Sequence, residues 1–414
     1  MPATSVIVQK YGGTSVADAE RIRRVAERVV KARADGHDVV VVVSAMGRTT
    51  DELLAMAQDL TSIPNPRELD LLLTAGERIA MSLLSIAINA LGVPSVSYTG
   101  SQAGIITDTA HGRAKIIDVR PGRVLEALEA GNVVIVAGFQ GVSTGADVTT
   151  LGRGGSDTTA VALAAAVGAE FCEIYTDVPG VFTADPRIEP SARKLHAVSY
   201  EEMLELSACG AKVLQLRSVE YARNTGVMLH VRSSFSDEDG TWVREEDERM
   251  EQALISGVAH DDGEAKVTIQ SVPDRPGVAA RIFRAVADER VNIDMIVQNV
   301  SHDGLTDVSF TAPKPDLARI RAVVQPIVEE ISAGGYSIDD GIAKISLVGA
   351  GMKSHPGVAA DMFQALAEEG VNIEMISTSS IRVSCVIRAA DAERAVRAVH
   401  RRFGLGEPGV ERRD

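Results

Sequence analysis

The sequence has little aromatic character, little cysteine, no surplus of positive charge and no long apolar run. Aromatic residues make up 4% of its 414 residues, and tryptophan occurs once. Interior packing is left to Ala, Val and Gly, which favours close helix–sheet contacts and an α/β architecture. Cys172, Cys209 and Cys385 are odd in number, widely scattered and form no CxxC pair. They exclude a disulfide framework and a zinc site, and read as small buried hydrophobes in a reducing compartment. The 42 basic residues fall short of the 57 acidic ones, giving a net charge of −15. Such a surface repels phosphate backbones and no basic stripe offsets it, so no nucleic-acid partner is expected. An anionic substrate must then be held by a few cations inside a site. Val39–Val43 and Ala160–Val167, the longest apolar runs, fall far short of the ~20 residues that span a bilayer. The N-terminus passes almost directly into the strand-like run Ser5–Gln9. Neither a secretory signal nor membrane attachment is therefore expected, and the location reads as cytoplasmic.

What is present has the balance of a globular protein, 45% apolar and 24% charged. The length implies two or three domains. Val6–Gln9, Val39–Val43, Val133–Ala137 and Phe171–Tyr175 read as strands. Helical patterns separate them at Asp18–Ala34, near Leu69–Leu91 and at Asp157–Val167. The alternation predicts a mostly parallel sheet covered on both faces. Residues 236–250 are acidic and poor in apolar side chains, and are expected to link a first domain, 1–235, to the C-terminal part of the chain.

That C-terminal part is internally duplicated. Pro276-Gly-Val-Ala-Ala-Arg-Ile-Phe-Arg-Ala-Val-Ala-Asp-Glu-Arg-Val-Asn-Ile-Asp-Met-Ile296 recurs as Pro356-Gly-Val-Ala-Ala-Asp-Met-Phe-Gln-Ala-Leu-Ala-Glu-Glu-Gly-Val-Asn-Ile-Glu-Met-Ile376. The preceding strands match too, Ala265–Ile269 against Ala343–Leu347. Two modules are expected, 251–335 and 336–414, each reading strand, Pro-Gly turn, helix, strand. Free amides at such a helix start suit a small ligand's carboxylate, with Asn292 and Asn372 nearby.

Three glycine-rich turns carry the chemistry. Lys10-Tyr-Gly-Gly-Thr-Ser15 follows the first strand, where two glycines expose consecutive amides and the lysine adds a point charge suited to phosphate. Leu151-Gly-Arg-Gly-Gly-Ser-Asp-Thr-Thr159 opens a helix, with Ser156 and Asp157 at its positive end and Arg153 offering a fork to a carboxylate. Tyr175-Thr-Asp-Val-Pro-Gly-Val-Phe-Thr-Ala-Asp-Pro-Arg187 leaves a strand end, where α/β sheets hold ligands.

Together with Val43-Ser-Ala-Met46, Leu73-Thr-Ala-Gly-Glu-Arg78 and Gly138-Phe-Gln-Gly141, and with Thr183-Ala-Asp-Pro-Arg187 inside the third turn, these segments run in the order of a known family. The chain resembles, nearly end to end, the aspartate kinases of the amino-acid kinase superfamily with paired C-terminal ACT domains. The resemblance implies an α/β sandwich around a mostly parallel sheet flanked by helices, then two ferredoxin-like βαββαβ modules. It implies transfer of the ATP γ-phosphate to the side-chain carboxylate of L-aspartate, the first step toward lysine, threonine and methionine. A carboxylate is already ionised at neutral pH, so no general base is needed; the difficulty is bringing two anions together.

By resemblance, Lys10 and Asp157 are the catalytic pair, with Asp157 orienting Lys10. Ser44, Thr50, Glu77, Arg153 and Ser156 hold aspartate, Glu77 at its α-amino group and Arg153 at its α-carboxylate. Lys10, Tyr11, Gly12, Gly13, Thr176, Asp177, Phe182, Arg187 and Lys212 are the expected ATP contacts. Phe182 stands where the family commonly has tyrosine, which leaves it packing alone. Mg²⁺ is expected to ride on the nucleotide, with no protein ligand to name. The resemblance further implies inhibition by lysine and threonine, singly or together. Candidate effector contacts in the first module are Asp274, Arg275, Pro276, Gly277, Val278, Ala279, Asn292, Ile293, Asp294, Gln298 and Asn299. In the second they are His355, Pro356, Gly357, Val358, Ala359, Ala360, Asn372 and Ile373. A homo-oligomer is expected, or a heteromer with a regulatory subunit translated separately from near Met250. Rival readings are a kinase of glutamate, acetylglutamate or a nucleotide, and a silent sensor retaining the fold.

Overall fold

Val39–Val43 offers water no polar side chain, and all five valines are fully buried. Their strand, Asp38–Val43, runs parallel to Val6–Tyr11 on one side and to Val133–Ala137 on the other. In the computed structural model, which describes residues 5–246, 255–299, 301, 303–353 and 355–406, these are central strands of an eight-stranded sheet. Phe171–Thr176 and Leu229–Ser233 continue it in parallel beyond Val6–Tyr11. Only the pairing of Leu229–Ser233 with Thr241–Arg244 is antiparallel.

Helix Ala19–Ala34 begins where the Asp18 side chain accepts the Arg21 backbone N–H, and buries Ile22, Val25, Ala26 and Val29 against this sheet. Helix Gly155–Val167 is apolar nearly all round and its first ten residues are buried, as befits a helix inside a core. The helix expected near Leu69–Leu91 is two, Pro66–Leu73 and Ala75–Ala90, parted at Thr74. By length and composition 66–90 could cross a membrane, but Ala80, Leu84 and Ile88 face the sheet core.

The expected acidic linker needs correction. Thr241–Arg244, inside 236–250, is a strand of the central sheet. Trp242 stacks on His230 with ring centroids 4.0 Å apart, and Thr241 is fully buried. Acidic flanks hide a four-residue strand whose apolar contribution is Trp242 and Val243. Residues 247–250 of that stretch lie outside the described residues.

The chain divides into two compact units. One comprises Met1–Val181, Lys194–Ser207 and Lys212–Met250; the other comprises Phe182–Arg193, Ala208–Ala211 and Glu251–Asp414. The second therefore takes two short segments from within the 1–235 span. Inside it, the first module's sheet is formed by Glu264–Pro273, Ile296–Gln298, Leu305–Pro313 and Gly335–Asp339. The second module's sheet joins Ile342–Val348, Met375–Thr378 and Arg382–Arg388 to Gly257–Asp261, which corrects the expected bounds: Gly257–Asp261 lies within 251–335 yet belongs to the second module's sheet, and Gly335–Asp339 carries the first module past residue 335. Among the described residues each module thus has four strands and two α-helices, but the second borrows its last strand from upstream.

The duplicated residues cross between the modules. Lys266 pairs with Glu374, and its repeat counterpart Lys344 pairs with Asp294, the counterpart of Glu374. Lys344 also reaches Glu264 at 3.2 Å. Met295 and Met375, again counterparts, share a small core with Ile342 and Val386.

Candidate active site and effector cavity

The strand Val6–Tyr11 delivers Lys10 to one face of the sheet and ends in the turn at Gly12 and Gly13. Lys10 Nζ lies 2.5 Å from Asp157 Oδ1, and both side chains are about nine-tenths buried. Asp157 sits in the first turn of helix Gly155–Val167, where a carboxylate is favoured by the helix dipole. Two glycines let the surrounding turns close up. A Cβ at Gly13 would stand 2.8 Å from the Ala45 carbonyl oxygen, and one at Gly138 would stand 2.7 Å from Ser156 Oγ. The 12–15, 44–47 and 138–141 turns therefore converge with the start of the Asp157 helix. Backbone bonds tie them: Gly47 N–H donates to Gly13 O at 3.0 Å, and Gly138 N–H donates to Val43 O at 2.9 Å.

Glu77, on helix Ala75–Ala90, is 3% exposed. Its Oε1 accepts the Ala45 N–H at 3.1 Å, while Oε2 is buried with no hydrogen-bond partner among the described residues. Burial raises its pKa to about 7, against a smaller lowering by backbone hydrogen bonds. A half-satisfied buried carboxylate is a place for a cationic group. Ser44 follows the central strand and donates its N–H to Tyr11 O, and Thr50 lies in the first turn of helix Thr49–Leu60. Ser156 is buried. Arg153 is exposed and makes no ion pair among the described residues.

Of the expected nucleotide contacts, Tyr11 is buried and stacks on Tyr175, ring centroids 4.7 Å apart, so its ring is a core element. That corrects its expected role: only its backbone is available to a ligand. Thr176 and Asp177 continue the neighbouring strand end, Thr176 Oγ1 donating to Asp177 Oδ1 at 3.1 Å. Lys212 is exposed. Phe182 and Arg187 belong to the second unit, where Arg187 pairs with Asp185 at 2.6 Å. That hydrogen bond holds the Asp185 carboxyl below its usual range.

Sequence reasoning misses the braces behind this site. Asp70, 1% exposed, accepts from Thr150 Oγ1 at 2.5 Å and from the Gly112 N–H at 3.1 Å, and pairs with His111. Arg217 donates to the Leu151 and Ala114 carbonyls at 2.7 and 3.1 Å. Both fix the chain just before Arg153. No local motif marks them, because their partners lie tens of residues away.

In the first module a cavity of about 350 Å³ is lined by Asp274, Arg275, Pro276, Gly277, Val278, Ala279 and Gln298, all expected there. Val272, Pro273, Thr306 and Val308 complete the lining, and no sequence motif points to them. Asn292, Ile293, Asp294 and Asn299 do not line it. Ile293 packs against the module's core, Asp294 is held by Lys344, and Asn299 O accepts from Thr306 Oγ1 at 2.8 Å. In the second module Val358 is buried, Ala359 and Ile373 pack on the core, and Pro356, Gly357, Ala360 and Asn372 are exposed. His355 Nδ1 lies 2.9 Å from Gly351 O.

Comparison with known proteins agrees with this layout. The amino acid kinase family matches residues 5–233, and the ACT domain matches residues 266–329 and 345–403. The aspartokinase of Mycolicibacterium smegmatis is 59% identical over 407 residues, 97% of each chain. Among solved structures, E. coli aspartokinase III in complex with aspartate and ADP (R-state) superposes with a TM-score of 0.82 at 26% identity, covering 96% of this chain and 99% of that one. The same enzyme with lysine and aspartate (T-state) gives a TM-score of 0.74 at 25% identity, with the same coverage.

Proposed function

This chain belongs to the amino acid kinase family and, within it, to the aspartokinases, and on that premise we infer that it transfers the γ-phosphoryl group of ATP to the side-chain carboxylate of L-aspartate. The product is 4-phospho-L-aspartate, at the head of lysine, threonine and methionine synthesis. The observation that carries the residue assignment is the buried Lys10–Asp157 pair at the mouth of the Gly12–Gly13 turn. Lys10 is the cation that screens the two anions as they approach, and Asp157 holds it in place. The Gly13 amide faces the transferring group, the Gly12 N–H being taken by Tyr175 O. Glu77 takes the α-amino group of aspartate on its unsatisfied oxygen, and Arg153 takes the α-carboxylate. Ser44, Thr50 and Ser156 complete the substrate's seat, and Thr176, Asp177 and Lys212 meet the nucleotide.

Mg²⁺ supplies charge neutralisation at the phosphates. Among the described residues no three His, Cys, Asp or Glu side chains gather to hold a metal. Mg²⁺ would arrive with the nucleotide and supply this neutralisation there. The cavity at Asp274–Ala279 and Gln298 is the favoured effector seat, for lysine, threonine or both. A homo-oligomer, or a heteromer with a subunit started near Met250, and a cytoplasmic location complete the proposal. Met250 itself lies outside the described residues. Lys10→Ala and Asp157→Ala test the pair: each should lower kcat by about 10³-fold or more with the circular dichroism unchanged. Near-normal turnover in either variant overturns the assignment.

A further inference from the structure

The face of the sheet opposite Lys10 carries a polar cluster that the reaction as described does not use. Gln9 and Tyr11 on the first strand, Glu173 and Tyr175 on its neighbour, and His230 and Arg232 on the next all point to this face, at alternate positions in register. Glu173, 5% exposed, is the hub. Its Oε2 accepts from Gln9 Nε2 at 2.8 Å and from the Tyr175 hydroxyl at 3.2 Å, and its Oε1 accepts from Arg232 Nη1 at 3.0 Å. Tyr11 donates to Gln9 Oε1 at 3.2 Å, and the two tyrosine rings stack within 5° of parallel.

Every strand tied to this hub ends beside the proposed nucleotide side. Tyr11 lies between Lys10 and Gly12, and Tyr175 immediately precedes Thr176 and Asp177. Gly12 N–H donates to Tyr175 O at 3.4 Å. The third strand ends at Ser233, after which Ser234 N–H donates to Thr176 O at 2.8 Å and Ser234 Oγ meets Ser15 Oγ at 2.5 Å. Side chains across adjacent strands are the natural means of fixing how those strands sit against each other. A buried, fully satisfied carboxylate does this with more specificity than apolar packing would, since any slip leaves a charge or donor unpaired.

We propose that Glu173 is a positioning residue for the phosphoryl-transfer site: from the reverse face it locks the ends of the first, neighbouring and third strands, so that Lys10 and the Gly12–Gly13 turn stay aligned with Thr176 and Asp177. The inference rests on the nucleotide assignment above. Of the aspartate side, Ser44 meets the hub strands only through its N–H bond to Tyr11 O, and Glu77 and Arg153 stand on other elements, so loss of the hub falls mainly on the nucleotide constants. Replacement by glutamine keeps the shape but presents an amide where three donors converge. A cavity of about 280 Å³ over Glu173, Arg28 and Arg232 lets that replacement sit without overpacking.

The test is Glu173→Gln in the full chain, with steady-state constants for both substrates, ADP affinity by titration calorimetry and a thermal melt. Expected are a rise in KM for MgATP and a weakening of ADP binding of about five- to twentyfold, and a fall in kcat of similar size. KM for aspartate stays within about twofold. The milder Tyr175→Phe, which removes one hydrogen bond to the hub and keeps the ring stack, should move the same constants in the same direction by a smaller factor. It also serves if Glu173→Gln does not fold. A lower melting temperature with both KM values and ADP affinity unchanged would reduce Glu173 to a structural role. So would equal changes in the two KM values. If the unsubstituted chain makes no acyl phosphate from aspartate, it is the functional assignment that fails; ADP affinity still reads the hub.

Discussion

Glu77 shows how one buried carboxylate links binding to pH. Its folded pKa of about 7 stands above the ordinary value of 4.5 because burial penalises the charge. Only the ionised form can take an ammonium group. For aspartate, kcat/KM should therefore fall by about tenfold per pH unit below about 7, and Glu77→Gln should flatten that limb while raising KM. The stability sign is opposite to that of a salt-bridged acid. Between pH 4.5 and 7 the folded form binds the extra proton, so this group's contribution declines as pH rises through that window. Glu77→Gln should then gain up to about 3 kcal/mol above about pH 7 and little near about pH 4.5, which melts at the two pH values will test. Arg153→Lys keeps the charge but loses the planar fork, and should raise KM for aspartate by about 10- to 100-fold with a smaller effect on kcat. Lys10, Glu77, Arg153 and Asp157 are all legible as candidates because they stand in motifs. Glu173 and Asp70 are not. Their partners come from elements about 40 to 160 residues away, and polar residues at alternate positions of short strands read as solvated edges until the third dimension closes over them.

At the scale of elements, the duplication is the most readable feature, and it delivers both modules with their matching Lys and acid positions. What it cannot deliver is the exchange, in which each lysine pairs with the acid of the other copy. Burial decides which of the two pairs matters more. Lys344 is 1% exposed and held between Asp294 and Glu264, whereas the Lys266 side chain is 21% exposed. Burial alone would lower the Lys344 pKa, yet the two carboxylates raise it above its ordinary value. Lys344→Ala removes a buried cation shared by two partly exposed acids, Glu264 at 13% and Asp294 at 28% side-chain exposure, and should cost the second unit about 2–3 kcal/mol, against about 1 for Lys266→Ala. Urea unfolding of the two variants will rank them, and equal costs would contradict the burial argument. The upstream strand Gly257–Asp261 and the in-sheet strand Thr241–Arg244 escape sequence reading for a different reason. Each is four or five residues long, and its identity as a strand depends on a distant partner.

For the whole molecule, a kinase unit and a ligand-sensing unit in one chain have regulatory meaning only if effector occupancy changes catalysis. Such coupling requires different effector affinities in active and inhibited states, and it is reciprocal for binding. Lysine or threonine, alone or together, should lower the rate, and saturating aspartate and ATP should weaken the inhibitor's binding by the same factor that the inhibitor weakens theirs. The central claim is tested most directly by trapping the acyl phosphate with hydroxylamine, using the full chain with MgATP and each of aspartate, glutamate and acetylglutamate. The predicted result is hydroxamate from aspartate alone, lost in Lys10→Ala. Hydroxamate from glutamate or acetylglutamate in place of aspartate, or none from any of the three, would contradict it.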